Sequence, residues 1–408
     1  MTDADVAVVV GAGQAGSELS ICLRQNGFDG RIVLLGEERH MPYQRPPLSK
    51  TLLKAGATAH DLRVRSPEAY AASDIDVILG NRVSALDLDA RCVLLGDGTR
   101  LEYTKLALTT GGRPRALALG DEPLNAASLH ALDDALALRE HLRPGRRIVV
   151  VGAGFIGLEV AAVAAEGGAE VIILEIADRI LGRTNPAVVS EFFTRLHRAH
   201  GVSVRTGATL YSARRMRNGR ISIQLGDGTN ISADLILAGI GMIPNDELAR
   251  AAGLDVSDGI LVDSQARTSK PDVVAAGDCT RQFHGLLRRE VRLESQQNAV
   301  EQARIAARTL CGSTTESFNV PTFWSDQYDH RLQMVGLPLP DDEQVLRGDP
   351  DSGSFSVVFL RGGRLSAVHA VGRPSDITAG RKLIATQAHL RPSHDIAIDG
   401  PLGDLAVT

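Results

Sequence analysis

The chain has 408 residues, of which 44% are apolar and 23% charged, and a formal net charge of −5. That length exceeds one ordinary domain and predicts two or three. The balance of residues predicts a globular protein with ample core, and the mild negative charge excludes the strongly basic surface of a nucleic-acid binder. Four cysteines, Cys22, Cys92, Cys279 and Cys311, stand far apart with no C-x-x-C, so neither a disulfide framework nor a metal cluster is expected. No signal-peptide pattern opens the chain, and no run reaches the roughly 20 apolar residues of a membrane span. The expectation is a soluble, cytoplasmic protein.

Residues 6–10 read as a buried strand that runs into Gly11, Gly13 and Gly16. A helix follows to about Gln25, then a second strand at 32–35 and an acid, Glu37. Pro42, Pro46 and Pro47 keep the next stretch irregular until a helix begins near Leu48, and Arg45 and Lys50 are its notable cations. Residues 75–108 alternate short β-type runs around a Gly96-Asp97-Gly98 turn and end in a strand at 105–108. Thr109, Thr110, Gly111 and Gly112 close that strand. A helical pattern occupies 132–142.

Residues 148–175, IVVVGAGFIGLEVAAVAAEGGAEVIILE, repeat the opening pattern. A strand at 148–151 meets Gly152, Gly154 and Gly157, a helix continues over 158–166, and a strand at 171–174 ends in Glu175. In such a G-x-G-x-x-G unit the first glycine allows the tight turn and the second lets backbone approach a pyrophosphate. The third lets helix and strand pack closely. The pyrophosphate rests on free N–H groups at the helix start. One such match is weak evidence; two, each with an acid about 20 residues on, predict two dinucleotide sites. A carboxylate at Glu175 accepts hydrogen bonds from ribose hydroxyls and repels a 2′-phosphate, which favours NADH over NADPH. Arg179 and Arg183 lie downstream, but neither follows Glu175 directly.

The second half mirrors the first. A helix at 186–199, a strand at 202–205, a β-rich stretch over 208–240 with its own Gly226-Asp227-Gly228 turn, and a strand at 235–237 follow in order. Residues 273–276 form a strand leading into Gly277-Asp278, where an acid serves either as a helix N-cap or as a ligand contact; its TSKPDVVAAGD context favours the ligand. A helix is expected over 298–310, and 321–408 reads as a small β-sheet with terminal helices. The fold class is α/β, with two Rossmann-like dinucleotide-binding domains and a C-terminal α+β domain.

GAGQAG at 11–16, RPPLSK at 45–50, TTGGRPR at 109–115, GAGFIGLE at 152–159, AAGDC at 275–279 and FWSDQY at 323–328 span the whole chain. With these motifs the chain resembles the flavin-dependent ferredoxin–NAD reductases of bacterial oxygenase systems, a branch of the glutathione-reductase-like flavoproteins. The resemblance implies FAD in the first fold and NADH in the second. It implies an FAD-binding domain from 1–112 and 245–320, an NAD-binding domain at 113–244, and an interface domain at 321–408. Gly11, Gly13, Ala15, Gly16 and Glu37 would hold the FAD pyrophosphate and ribose, with Arg45, Lys50 and Val83 along the flavin or adenine ends. Thr110, Gly277 and Asp278 would meet the rest of the cofactor, Asp278 at the ribityl chain, and the segment around Gln296 would close over the isoalloxazine. Gly152, Gly154, Ile156, Gly157 and Glu175 would hold NADH. One departure is His130, in LHALDDA, where the family often has an arginine near the FAD phosphates.

Spacing alone makes Lys50 a solvated loop lysine and Glu159 a helix-start acid favoured by the dipole. The resemblance implies instead an ion pair between them, across two domains, beside the nicotinamide and flavin. Trp324, the single tryptophan, reads as core or interface filler on its own and lies against the flavin by resemblance. Arg304, with Arg308 assisting, reads as a solvated helix face or, by resemblance, as the dock for an acidic [2Fe–2S] ferredoxin. Met41, Pro42 and Tyr43 stand where peroxidase and oxidase relatives carry a reactive cysteine, so thiol chemistry lacks its nucleophile. The implied activity passes electrons from NADH through FAD to a ferredoxin serving a haem monooxygenase or a ring-hydroxylating dioxygenase. A flavin-binding redox sensor of the apoptosis-inducing-factor type, or a low-specificity NADH oxidoreductase, are the alternatives.

Overall fold

The computed structural model describes residues 5–54, 56–118, 126–313, 318–397 and 400–407. They fall into two compact units. The first comprises Met1–Arg45, Ala59–Arg113 and Ile243–Pro321, and the second Pro46–Thr58, Pro114–Met242 and Thr322–Thr408. Among the described residues no helix is long and apolar enough to cross a membrane.

The first unit is built on a five-stranded parallel sheet. Its order is Val273–Ala275, Lys105–Leu108, Val6–Val10, Arg31–Leu35 and Ile75–Ile78. These strands are continuous apolar runs because both faces are covered. Ala7, Val9, Ile32, Leu34, Ala107 and Val274 pack with the helices Gln14–Gln25 and Gln296–Leu310. The alternate residues Val8, Val10, Val33, Leu35, Leu106 and Leu108 pack under the three-stranded meander Val83–Asp87, Cys92–Leu95 and Arg100–Glu102. The meander turns at Gly98 with φ +89°, as the Gly-Asp-Gly step predicts.

The second unit repeats the plan with a four-stranded parallel sheet, Ser203–Arg205, Glu170–Leu174, Arg147–Val151 and Leu235–Ala238. A second meander, Leu210–Arg215, Ile221–Leu225 and Asn230–Ala233, covers one face through Ile221, Ile223 and Leu225 packed on Val149, Ile172 and Ile236. To this the C-terminal stretch adds an antiparallel sheet: Thr322–Gln327, His330–Gly336, Arg364–Val371, Ser354–Arg361 and Glu343–Asp349. The helix Ala187–Ala199 packs on that sheet, with Phe192 edge-on to His330 at 5.2 Å and tilted against Phe355 at 5.4 Å.

One expectation needs correction. No α-helix begins near Leu48; the chain makes two 3₁₀ turns, Pro46–Ser49 and Thr51–Leu53. Two consecutive prolines fix φ and withhold N–H donors, which suits a short tight turn better than a regular helix. Residues 46–58 group with the second compact unit, because their 3₁₀ turns pack on the helices Phe155–Glu166 and Leu132–Arg139.

Candidate functional site

The two glycine turns share one construction. Gly11 and Gly152 both adopt left-handed backbone, φ +110° and +94°. A Cβ on Gly11 would lie 2.2 Å from the Thr109 carbonyl oxygen, and one on Gly16 1.9 Å from that of Gly11. In the second turn a Cβ on Gly152 would lie 2.5 Å from the Gly239 oxygen, and one on Gly157 2.4 Å from that of Gly152. The middle glycines differ. Gly13 has nothing within 4 Å, and Gly154 only the Gly239 oxygen at 3.9 Å. Packing therefore demands the outer glycines, whereas the middle one leaves bare backbone facing open space. The helices that start there have no side-chain N-cap and no acid in the first turn. Their free N–H groups and positive dipole ends make an anion seat. Both turns fit a dinucleotide pyrophosphate.

The acids that follow are held differently. Glu37 is exposed, with Arg82 3.7 Å away. Glu175 accepts the backbone N–H groups of Ala153, at 2.7 Å, and Ala177, at 2.9 Å. The carboxylate thus ties the strand end to the glycine turn, a role that motif spacing did not reveal, and only its remaining lone pairs are open to a ribose. Arg179 is spent on Asn185, Ser190 and Gly182. Ile156, in the first turn of the second glycine helix, is 44% exposed.

In the first unit, Gly277 and Asp278 form the turn after the strand Val273–Ala275, packed against Ala15, whose Cβ lies 3.2 Å from a Cβ built on Gly277. Asp278 has no hydrogen-bond partner among the described residues. Partial burial first, then the Glu294 charge, push its carboxyl up to about 6 against the pull of Arg45 and Arg292. A desolvated acid without a partner is a seat for ligand hydroxyls. Gln302, absent from the sequence-based candidates, sets this turn: its Oε1 accepts the Gly277 N–H at 2.8 Å, the Thr280 hydroxyl at 2.9 Å and the Asn298 amide at 3.1 Å. Gln296 opens the same helix and donates to Gln14 at 3.1 Å, joining two helix starts. Thr110 donates to the Asn245 carbonyl. Val83 is buried in the core, and Arg45 pairs with Glu38 at 2.9 Å while lying over the Tyr43 ring.

In the second unit, Lys50 and Glu159 form their ion pair at 2.8 Å, with Glu159 2% exposed. The expected pairing occurs, but both partners belong to one compact unit rather than to two. Glu159 also accepts the Ser49 hydroxyl and, at 2.7 Å, the Ser325 hydroxyl. Neither serine stood among the sequence candidates. The strand Thr322–Gln327 lies on the glycine helix, Phe323 packing on Phe155 with ring centroids 4.7 Å apart. Strand alternation then turns Ser325 and Gln327, both fully buried, to the side of Phe323 and places Trp324, half-buried, on the other. That alternation of polar residues inside FWSDQY was the available signal.

Arg304 is 57% exposed in its side chain and pairs with the buried Glu18 at 2.7 Å, which Arg65 also reaches. Arg308 is half-buried. The His130 backbone donates to Asp134 at 3.0 Å. Burial pushes the Cys22 thiol up to about 11 and raises those of Cys279 and Cys311, so none of these three is an activated thiolate.

The model of the pyridine nucleotide-disulphide oxidoreductase family matches residues 5–303, and that of the reductase C-terminal domain matches 322–406. Putidaredoxin reductase CamA of Pseudomonas putida is 42% identical over 395 residues, covering 95% of this chain and 94% of that protein. The ferredoxin–NAD(+) reductase component of the anthranilate 1,2-dioxygenase system of Burkholderia cepacia is 44% identical over 387 residues, 94% of this chain and 95% of that one. The covalent putidaredoxin reductase–putidaredoxin complex contains a chain that matches with a TM-score of 0.94 and 40% identity over 98% of both chains. The chain belongs to the pyridine nucleotide-disulphide oxidoreductase family, among its ferredoxin–NAD reductases. It is an FAD-dependent oxidoreductase that uses NAD(H).

Proposed function

We propose that this protein takes electrons from NADH through FAD and delivers them to a [2Fe–2S] ferredoxin that serves an oxygenase in the cytoplasm. The observation that carries the reading is the pair of glycine turns with jammed outer glycines and an open middle one. Bound FAD would accept a hydride and release electrons one at a time, the conversion that a ferredoxin acceptor requires. No thiol relay competes: Met41, Pro42 and Tyr43 fill the loop after the first fold, and Cys22, Cys279 and Cys311 hold their protons.

The chain's own groups do the rest. We assign 1–112 and 245–320 to FAD binding, 113–244 to NADH and 321–408 to the acceptor side. The Gly11–Gly16 turn with Ala15 and Glu37 holds FAD, and Arg45, Val83, Thr110, Gly277, Asp278 and Gln296 complete its site. The Gly152–Gly157 turn with Ile156 and Glu175 holds NADH. Lys50, kept in place by Glu159, supplies a cation for charge developing during hydride transfer, while Trp324 and Arg304 serve the acceptor.

The test is steady-state reduction of a purified [2Fe–2S] ferredoxin. NADH-driven turnover should saturate at micromolar-order partner concentration, with kcat/KM for NADPH at least about tenfold lower. Slow turnover with tight partner binding would overturn this reading in favour of a flavin-binding redox sensor.

A further inference from the structure

The Lys50–Glu159 pair is the end of a longer object. Glu159 Oε1 accepts from Ser325 Oγ at 2.7 Å. Ser325 Oγ lies 3.1 Å from Gln327 Nε2, and Gln327 Oε1 lies 2.9 Å from His197 Nε2. His197 Nδ1 lies 3.1 Å from the Tyr328 hydroxyl. Five side chains from the glycine helix, the hairpin strand and its turn, and the helix Ala187–Ala199 thus form one unbroken file inside the second unit. Ser325, Gln327 and His197 are fully buried.

The direction of the file follows from its acidic end. A carboxylate salt-bridged to lysine offers only acceptors, so Ser325 spends its single proton on Glu159. Ser325 must then accept, and only the amide nitrogen of Gln327 can donate to it. That turns the Gln327 carbonyl to His197, which must donate from Nε2. Burial pushes the His197 imidazole down to about 4, so it is neutral and carries one proton; Nδ1 is left to accept from Tyr328. Burial raises the Tyr328 phenol, which remains a donor. Every proton in the file points toward Glu159.

The far end is held under strain. Tyr328 sits at φ +56°, a left-handed conformation that a bulky side chain rarely adopts. It belongs to the two-residue turn joining Thr322–Gln327 to His330–Gly336. Its ring stacks on His200 at 3.7 Å and 15°. Backbone strain at one residue persists where the surroundings over-determine it.

We infer that Ser325, Gln327, His197 and Tyr328 are positioning residues: a hydrogen-bond file running from the hairpin turn that orients the Glu159 carboxylate and, through it, the Lys50 ammonium for hydride transfer. The inference rests on the role assigned above to the Lys50–Glu159 pair.

The test uses the full-length holoenzyme and rapid mixing with saturating NADH under anaerobic conditions. Ser325→Ala should slow reduction of the bound FAD by about tenfold, the scale of one hydrogen bond to a charged group, and Gln327→Leu by about threefold, the scale of a neutral one. Because both act through one file, the double variant should be no slower than Ser325→Ala alone. Losses that multiply, or a single variant at the wild-type rate, overturn the file. A second measurement needs no variant: ¹⁵N NMR of the wild-type holoenzyme should show His197 neutral with its proton on Nε2, and a proton on Nδ1 overturns the stated direction. Glu159→Gln separates the two readings. If it reduces FAD at the wild-type rate, the role of the ion pair fails; if it is slow while Ser325→Ala is not, only the file fails.

Discussion

At the scale of single residues, the glycines divide by what their missing side chains would meet. Gly157 has the Gly152 carbonyl in its Cβ position, at 2.4 Å, so Gly157→Ala forces backbone apart and should lower stability by about 1–3 kcal/mol. Gly154 faces open space, and its φ of −81° suits any residue. Gly154→Val should therefore leave the melting temperature within a few degrees of wild type while raising the KM for NADH about tenfold or more. Thermal melts paired with steady-state kinetics check both; a stability loss at Gly154 equal to that at Gly157 would remove the distinction. Glu175 belongs here too. Its bonds to the Ala153 and Ala177 N–H groups make Glu175→Ala a structural lesion in addition to the cofactor one that the proposed NADH role predicts. Loss of NADH preference should then be accompanied by a lower melting temperature, measured without nucleotide. The spacing of Glu175 was legible because fingerprint acids recur at fixed distance from the glycines, whereas its backbone bonds depend on how the turn folds back.

At the scale of elements, two junctions decide most. The helix Gln296–Leu310 is coupled to the Gly277-Asp278 turn by Gln302, whose oxygen serves three donors. Gln302→Leu strands the Gly277 N–H and one Asn298 amide proton in a buried place, each at a cost of about 1–3 kcal/mol, while the Thr280 hydroxyl keeps the Gly277 carbonyl. FAD affinity, read from the rise in free-flavin fluorescence on dilution, should weaken by more than tenfold. The second junction joins the Ala187–Ala199 helix and the preceding loop to the C-terminal sheet. Here His197 bonds Gln327, and His369 bonds Asn185 at 2.9 Å. Burial drives both imidazoles down, to about 4 and about 3. An unfolded histidine takes a proton near pH 6.5, so between that value and the folded one the unfolded state binds more protons. Stability is full above about pH 6.5 and falls as pH drops toward 4, by on the order of 3 kcal/mol for His197 at the bottom of the window. Denaturant melts of His197→Gln across this range should show a shallower slope than wild type; an identical slope would refute the assignment.

At the scale of the whole molecule, the duplicated order of glycine turn, meander and closing strand was readable because each part has a local cause. Apolar runs mark sheets covered on both faces, and the Gly-Asp-Gly steps mark positive-φ turns at Gly98 and Gly228. The C-terminal sheet was also legible in outline. What local pattern could not reveal is the grouping of Pro46–Thr58 with the second unit. Its tandem prolines exclude a regular helix but say nothing of which surface the resulting 3₁₀ turns will meet. One prediction belongs to this scale. Full-length similarity to ferredoxin–NAD reductases and the two nucleotide turns together require NADH-dependent flavin reduction before any acceptor is added. Anaerobic NADH titration should bleach the bound flavin at about one equivalent, and an unbleached flavin would contradict the reading.

By itself the sequence determined that there are two dinucleotide folds, that Glu175 follows the strand after the second glycine turn, and that the cysteines stand far apart with no C-x-x-C. These follow from residue type and short spacing, which act through local backbone conformation. Only the tertiary structure decided that Ser49, Ser325 and Lys50 converge on Glu159. The serine partners lie 110 and 166 residues from it along the chain. Such a site is defined by which buried polar groups must satisfy one another once water is excluded, and that requirement exists only after the helix, the 3₁₀ turns and the hairpin strand have packed.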